Sequence, residues 1–181
     1  MFEDRILLWK FKRGGKDAFH PIYEKYADSL MTLAANLLDD KNDAEDVVQD
    51  VFISFVESIE SFRLTGTLRG YLTTCVANRS RDYIRKNHRR RMAAENQAER
   101  KAANLKTPLR LVINSEEMLK LNHALTELPY EQRETIVLRL HGGMRFRQIA
   151  RLQNVSVKTV QSRYRYGLEK MRSAMNGEVE K

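Results

Sequence analysis

Asn42–Val56 reads NDAEDVVQDVFISFV. Its apolar residues Ala44, Val47, Val48, Val51, Phe52, Phe55 and Val56 continue to Ile59 at steps of three and four. That is the period of an α-helix with one wide buried side. Asn42 is placed to cap the helix, and Glu45 stands three residues later, a variant of the capping box. Asp43, Glu45, Asp46 and Asp50 fall off the apolar stripe, on the solvent side. The chain as a whole carries a formal net charge of +8. An acidic helix face does not lie on phosphate. Either these acids only solvate a helix end, or they meet something basic that is not nucleic acid. The helix dipole accounts for Asp43 and Glu45, but poorly for Asp50, two turns in.

Composition sets the frame around that helix. A chain of 181 residues makes one domain or two small ones. With only 8 Gly and 3 Pro, turns are few and helices are expected to dominate. No run of eighteen apolar residues occurs, so no membrane span is expected. The opening MFEDRILLWKFKRGG is interrupted by charge and lacks a small-residue cleavage site, so it is not read as a signal peptide. Cys75 is the sole cysteine. It excludes an intrachain disulfide and a multi-cysteine zinc site, and it fits a reducing cytoplasm. The positive balance favours a polyanion partner.

Four parts follow along the chain. Asp17–Leu38 carries Phe19, Ile22, Tyr23, Tyr26, Leu30, Leu33 and Leu37 on one helical face, with Pro21 tolerated in the first turn. The acidic helix comes next, then a break over Ile59–Gly70. Tyr71–Arg91 reads as a third helix that grows steadily more basic. Leu72, Val76, Tyr83 and Ile84 form its core side, and Asn78, Arg81, Arg85 and Arg89 share another face. Residues 92–114 are polar and Ala-rich and meet Thr107-Pro108, which reads as a linker. The apolar run Leu109–Ile113 within it is unexplained by that reading. Residues 115–181 begin with a helix marked by Met118, Leu121, Leu125 and Leu128. A second helix starts near Pro129, carries Ile136, Val137 and Leu140, and ends at Gly142-Gly143. The expected fold is therefore all-α: two small helical domains, 1–91 and 115–181, joined by a linker over 92–114.

The last segment, FRQIARLQ-NVS-VKTVQSRYRYGLEKMR, has the layout of a helix-turn-helix. Ser156 can cap its second helix, and Val157, Val160 and Leu168 are expected to face inward. Lys158, Thr159, Gln161, Ser162, Arg163 and Arg165 then face outward. Gln and Arg suit base edges, while Lys, Ser and Thr suit the phosphate backbone. A solvated amphipathic helix at the end of a bundle is the plainer reading of the same pattern. A second basic surface lies in the N-terminal part. There Phe62, Arg63 and Thr67 precede Tyr71, Asn78, Arg81 and Arg85. Aromatics interleaved with basic side chains suit unstacked single-stranded bases. For Phe62 and Tyr71, ordinary core packing is the alternative.

With these residues in hand, the sequence resembles the small two-domain bacterial sigma factors of the extracytoplasmic-function group. DAFHPIYEKYADSLMTLAANLL resembles their opening helix, and DAEDVVQDVF their surface for core RNA polymerase. SFRLTGTLRGYL resembles the loop that reads the −10 promoter element. Residues 124–172 resemble the domain that reads the −35 element. The resemblance implies that Asp46, Gln49 and Asp50, with Phe52 beside them, meet the polymerase. It implies that Phe62, Arg63, Thr67, Tyr71, Asn78, Arg81 and Arg85 take the −10 strand. It implies −35 contacts from Lys158, Thr159, Gln161, Ser162, Arg163 and Arg165. The partners implied are core RNA polymerase, promoter DNA and, as often in this family, an anti-sigma protein. Neither cofactor, metal nor catalytic residue is implied, and the setting is the bacterial cytoplasm, on the nucleoid once assembled with polymerase. Departures from the family pattern are Arg145 at a helix-capping position, Ala77, Arg79 and Arg81 on the third helix, and the TGTLRG loop.

Two other classes compete. A stand-alone helix-turn-helix regulator would leave the acidic helix without a purpose. A metal nuclease using Asp39, Asp40, Asp43 and Asp46 would need a partner His or a second acidic cluster. His20, His88, His123 and His141 are scattered instead. The stretch DDKNDAED also lacks the glycine a calcium loop needs at its sixth position.

Overall fold

Asp40, not Asn42, starts the acidic helix. Its carboxylate accepts hydrogen bonds from the backbone N–H of Asn42 (2.8 Å) and Asp43 (3.4 Å). Two residues earlier than Asn42, Asp40 reaches these unpartnered donors from extended backbone, where a cap belongs. The computed structural model describes residues 2–14, 16–95 and 116–176. In chain order the helices are α1 (Phe2–Gly14), α2 (His20–Leu37), α3 (Lys41–Glu57), α4 (Leu68–Glu95), α5 (Glu116–Thr126), α6 (Tyr130–Leu140), α7 (Phe146–Gln153) and α8 (Val157–Asn176). A 3₁₀ turn at Lys16–Phe19 leads into α2, with Pro21 in the first turn as expected. There is no strand among the described residues. The expected linker lies outside the described residues from 96 onward, including Leu109–Ile113, while residues 92–95 prolong α4.

α1 was not foreseen as an element. Leu8 and Phe11 sink into the core from it, and its buried Asp4 accepts from the Tyr26 hydroxyl (2.6 Å) and the Lys25 ammonium (3.0 Å). Burial works to raise the Asp4 pKa. The bonds from Tyr26 and Lys25 outweigh it and hold the carboxyl below its ordinary value. The helix thereby docks through a satisfied charge instead of an exposed one. The core of the first domain comes from α2, α3 and α4: Ile22, Leu30, Leu33, Val47, Val51, Phe55, Leu72 and Val76 are all buried. Tyr23, expected on the inner face of α2, is 44% exposed and rests one ring edge on Phe52.

In the second domain α6 is buried over consecutive residues from Arg133 to Leu138. Such a helix lies between α8, α7 and the first domain, not on a surface. Gly143 has φ 64°, the left-handed conformation that glycine adopts without strain, and it ends α6 as expected. The inner stripe of α8 is Val160, Tyr164, Gly167 and Met171. Leu168, expected to face inward, is 38% exposed. The stripe advances by four, three and four residues, which puts Gly167 at the inward position. A Cβ there would stand 2.7 Å from the Ile136 Cδ1 atom, so the glycine lets α8 approach α6 closely.

Candidate functional site

The helix-turn-helix begins at Phe146 as expected, and its second helix runs past Arg172 to Asn176. Its three-residue turn is Asn154, Val155 and Ser156. Asn154 takes the left-handed conformation (φ 53°), a role asparagine tolerates better than most side chains. The Val155 N–H then bonds back to the Ala150 carbonyl at 3.0 Å. The Ser156 hydroxyl oxygen accepts from the Thr159 N–H at 3.0 Å and caps α8. At the start of α7, Arg145 has no acceptor atom in its side chain. Gln148 compensates in part: its Oε1 accepts from the Arg145 N–H at 2.8 Å, half of a capping box. Phe146 and Tyr164 meet edge to face at 5.3 Å and tie α7 to α8.

Lys158, Thr159, Gln161 and Arg165 are exposed on α8, with Ser162 and Arg163 half-buried. Arg163 Nη1 donates to Gln153 Oε1 at 2.7 Å. Gln153 is in turn held through Nε2 by Glu134 Oε2 (2.8 Å) and Thr135 Oγ1 (3.0 Å). The guanidinium of Arg163 is thus steered by a chain of bonds that begins inside the domain.

On α3, Asp46, Gln49 and Asp50 are exposed together on the face away from the core. Asp50 lies 3.5 Å from Arg79 of α4 across an exposed surface. Asp43 accepts from the Tyr83 hydroxyl. Phe52 is a different case. It is 4% exposed and packs between the rings of Phe19 (5.7 Å) and Tyr23 (4.9 Å). It supports the acidic face from beneath instead of sharing it, because it falls on the same buried stripe as Val48 and Phe55.

The loop between α3 and α4 is pinned from α1: Lys12 Nζ donates to the carbonyl oxygens of Phe62 (2.6 Å) and Glu60 (3.4 Å). Phe62 and Tyr71 meet at a tilt of 58° with ring centroids 4.7 Å apart, and both lean on buried Phe55. Each is half-buried. Burial pushes the Tyr71 phenol up, with Cys75 beside it, and keeps it neutral. Arg63 and Thr67 are exposed, and the Thr67 hydroxyl oxygen accepts from the Gly70 N–H (3.1 Å) as the cap of α4. Asn78 and Arg85 are exposed one turn to either side of Arg81. Arg81 itself turns into the second domain. Its Nε reaches Glu134 Oε1 (2.7 Å), its Nη2 Glu134 Oε2 (2.8 Å) and its Nη1 the Leu152 carbonyl (2.6 Å).

The sigma-70 region 2 family model matches residues 22–90, and the sigma-70 region 4 model matches residues 118–171. The chain is 30% identical to the ECF RNA polymerase sigma factor SigE of Mycolicibacterium smegmatis, over 90% of this chain and 65% of that one. It is 28% identical to the RNA polymerase sigma factor CarQ of Myxococcus xanthus, over 94% and 96%. The chain belongs to the ECF sigma factors. Among solved structures its fold is similar to the sigma factor RpoE bound to the anti-sigma factor NepR from Bartonella quintana (TM-score 0.71, 22% identity, 89% of this chain and 98% of that one). It is also similar to CnrH bound to the cytosolic domain of CnrY (TM-score 0.68, 24%, 97% and 99%).

As a sigma factor, the chain is a transcription initiation subunit that directs RNA polymerase to promoters, and the stand-alone regulator is not the favoured reading. Among the described residues no group of His, Cys, Asp or Glu is arranged to hold a metal ion. No described helix is long and apolar enough to cross a membrane. Sequence reasoning missed α1 and its hold on the loop between α3 and α4. The spacing of Leu7, Leu8 and Phe11 could have revealed that helix. It also missed Glu134. Nothing in ETIVLRL distinguishes this acid from a solvated one.

Proposed function

We propose that the sigma factor works through three surfaces, each on its own element. Asp46, Gln49 and Asp50 of α3 take basic side chains of core RNA polymerase. The loop from Phe62 to Tyr71, with Asn78, Arg81 and Arg85 of α4, takes the non-template strand of the −10 element. Lys158, Thr159, Gln161, Ser162, Arg163 and Arg165 of α8 read the −35 duplex in the major groove. The division of labour follows residues 1–91 and 115–181, with 92–114 between them. The chain has no catalysis of its own in this reading. It supplies binding energy that offsets a few kcal/mol for unstacking a promoter base. It acts in the bacterial cytoplasm, on the nucleoid when assembled with polymerase, and an anti-sigma partner would cover the same surfaces.

The observation that carries the reading is charge segregation. Three exposed amide and acid side chains stand together on α3, while α4 exposes Arg79, Arg85, Lys86, Arg89 and Arg90 and the start of α8 exposes Lys158, Thr159, Gln161 and Arg165. Nucleic acid suits the second and third surfaces and repels the first. A charged hydrogen bond at an interface is stronger than a neutral one. Asp50→Arg is expected to weaken binding to core polymerase by about 2–5 kcal/mol, the cost of breaking a buried interfacial charge pair. The fold should persist, since Asp50 is exposed. Unchanged affinity for core, measured by fluorescence anisotropy with labelled sigma factor, would remove α3 from the interface. Transcription from a pool of random promoters would then reveal the elements read by the other two surfaces.

A further inference from the structure

The loop between α3 and α4 is fixed locally only at its two ends. Past α3, the Phe62 N–H bonds back to the carbonyls of Ser58 (2.9 Å) and Ile59 (3.3 Å). Before α4, the Thr67 carbonyl accepts from the Tyr71 N–H at 3.1 Å. Residues 62–67 between these points form neither helix nor strand, and Arg63, Thr65, Gly66 and Thr67 are exposed.

α1 holds this loop from outside. Lys12 Nζ donates to the carbonyl oxygens of Phe62 (2.6 Å) and Glu60 (3.4 Å), 50 and 48 residues away. One ammonium carries three donors and can serve both. A charged donor makes a stronger hydrogen bond than a neutral one. Carbonyls just past a helix end lack an intrahelical partner, and a cation there also meets the negative end of the helix dipole. α1 is itself fixed. Near its start, Lys25 bonds to Glu3 (2.6 Å) and Asp4 (3.0 Å), and Tyr26 bonds to Asp4. Phe11, next to Lys12, is buried against Phe19 and Phe55. Phe55 is also the ring beneath Phe62 and Tyr71. The side chain of Phe62 and its carbonyl are therefore tied to neighbouring residues of one helix, the first through Phe55 and the second by Lys12 directly.

We propose that Lys12 is a positioning residue for this loop: it fixes the path of the backbone at Phe62 before a promoter arrives, and thereby sharpens the choice of base at the −10 element. The proposal rests on the reading of the loop as a −10 contact and adds a residue that acts on it from a separate helix. A loop ordered in advance loses less freedom on binding. A pocket discriminates only as well as its supports hold it. Lys12 acts without touching DNA, since its ammonium is already committed to two carbonyls. Two plainer roles differ in what they move. A cap for the end of α3 would affect stability alone. A phosphate contact would weaken all sequences equally and reduce the salt dependence of binding.

The test uses the full chain assembled with core polymerase. The probes are single-stranded oligonucleotides of the non-template −10 element, taken from promoters that the parent holoenzyme selects from a random pool, with each base in turn at each position. Lys12 is exposed, so Lys12→Met keeps the fold and the apolar stem and removes the donors. It should bind the preferred oligonucleotide several-fold more weakly and discriminate several-fold less against the other bases, with core binding and salt dependence unchanged. Lys12→Arg, which keeps charged donors, should restore most of both. An equal loss for all bases with a shallower salt dependence would overturn the proposal in favour of a phosphate contact. A lower melting midpoint with unchanged oligonucleotide binding would overturn it in favour of a helix cap. Arg63→Ala removes an exposed side chain of the same loop and leaves its backbone bonds. Weaker binding by Arg63→Ala with none by Lys12→Met overturns the positioning role alone, while no change in either overturns the reading of the loop as well.

Discussion

α4 and α8 are both basic helices and both start on a hydroxyl cap, Thr67 in one and Ser156 in the other. They differ in where their arginines are spent. On α8, Arg163 is oriented by Gln153 of the same domain, and Lys158, Gln161 and Arg165 remain exposed. On α4, the central arginine of the expected strand-binding face is spent across the domain seam on Glu134. A reading helix supported by its own domain is ready as folded. On α4 one arginine instead completes the interior of the other domain. Position on a helix face states where a side chain can point. It does not state which anion it has already found.

The largest expected effect tests whether the two regions are independent at all. Ile149 is fully buried under the helix-turn-helix. Ile149→Ala should cost about 2–5 kcal/mol, the transfer and cavity loss of a core isoleucine. Trp9, the single tryptophan, lies in α1. If α8 stands on its own domain, thermal melting should lose helical signal early while Trp9 fluorescence holds its parent midpoint. A common shift of both signals would mean that the seam makes one cooperative unit of the two domains.

Next comes the reading itself. Arg163→Ala should weaken holoenzyme on a −35-bearing promoter by about 1–3 kcal/mol if the guanidinium reads a base edge in bidentate fashion. Core binding should not move. A parallel loss of both, by anisotropy and promoter retention, would mean that the surfaces are not divided between domains. The smallest effect compares the two helix starts directly. Thr67→Ala and Ser156→Ala should each cost about 1 kcal/mol of stability, the usual loss of a hydroxyl cap. Denaturant midpoints would show whether the seam shelters α4 from that loss, which would appear as a smaller shift for Thr67→Ala.

Much of this was legible in the residues. α3 and the helix-turn-helix were readable because each couples a strong apolar period to a recognisable end. The acidic face of α3 was readable for the same reason, since any residue off so wide a stripe must face water. Phe52 lies on the apolar stripe, as its spacing requires, and is buried beneath the acidic face. Leu168 was misplaced because a glycine carries no hydrophobic signal, yet Gly167 holds the inward place. α1 was passed over because its apolar residues are interrupted by charges that find partners only in the folded chain, Asp4 with Tyr26 and Lys12 with the loop carbonyls.

By itself the sequence determined the class of fold, the order of the helices from α2 to α8, the turn of the helix-turn-helix and the segregation of acid from base. These depend on spacing and on contacts a few residues apart. Only the tertiary structure decided which polar side chains are available. Arg81 and Glu134 stand 53 residues apart and Arg133 and Asp39 stand 94 apart. Nothing local favours these pairs. They form because packing α6 against the first domain removes water from charges that must then satisfy one another.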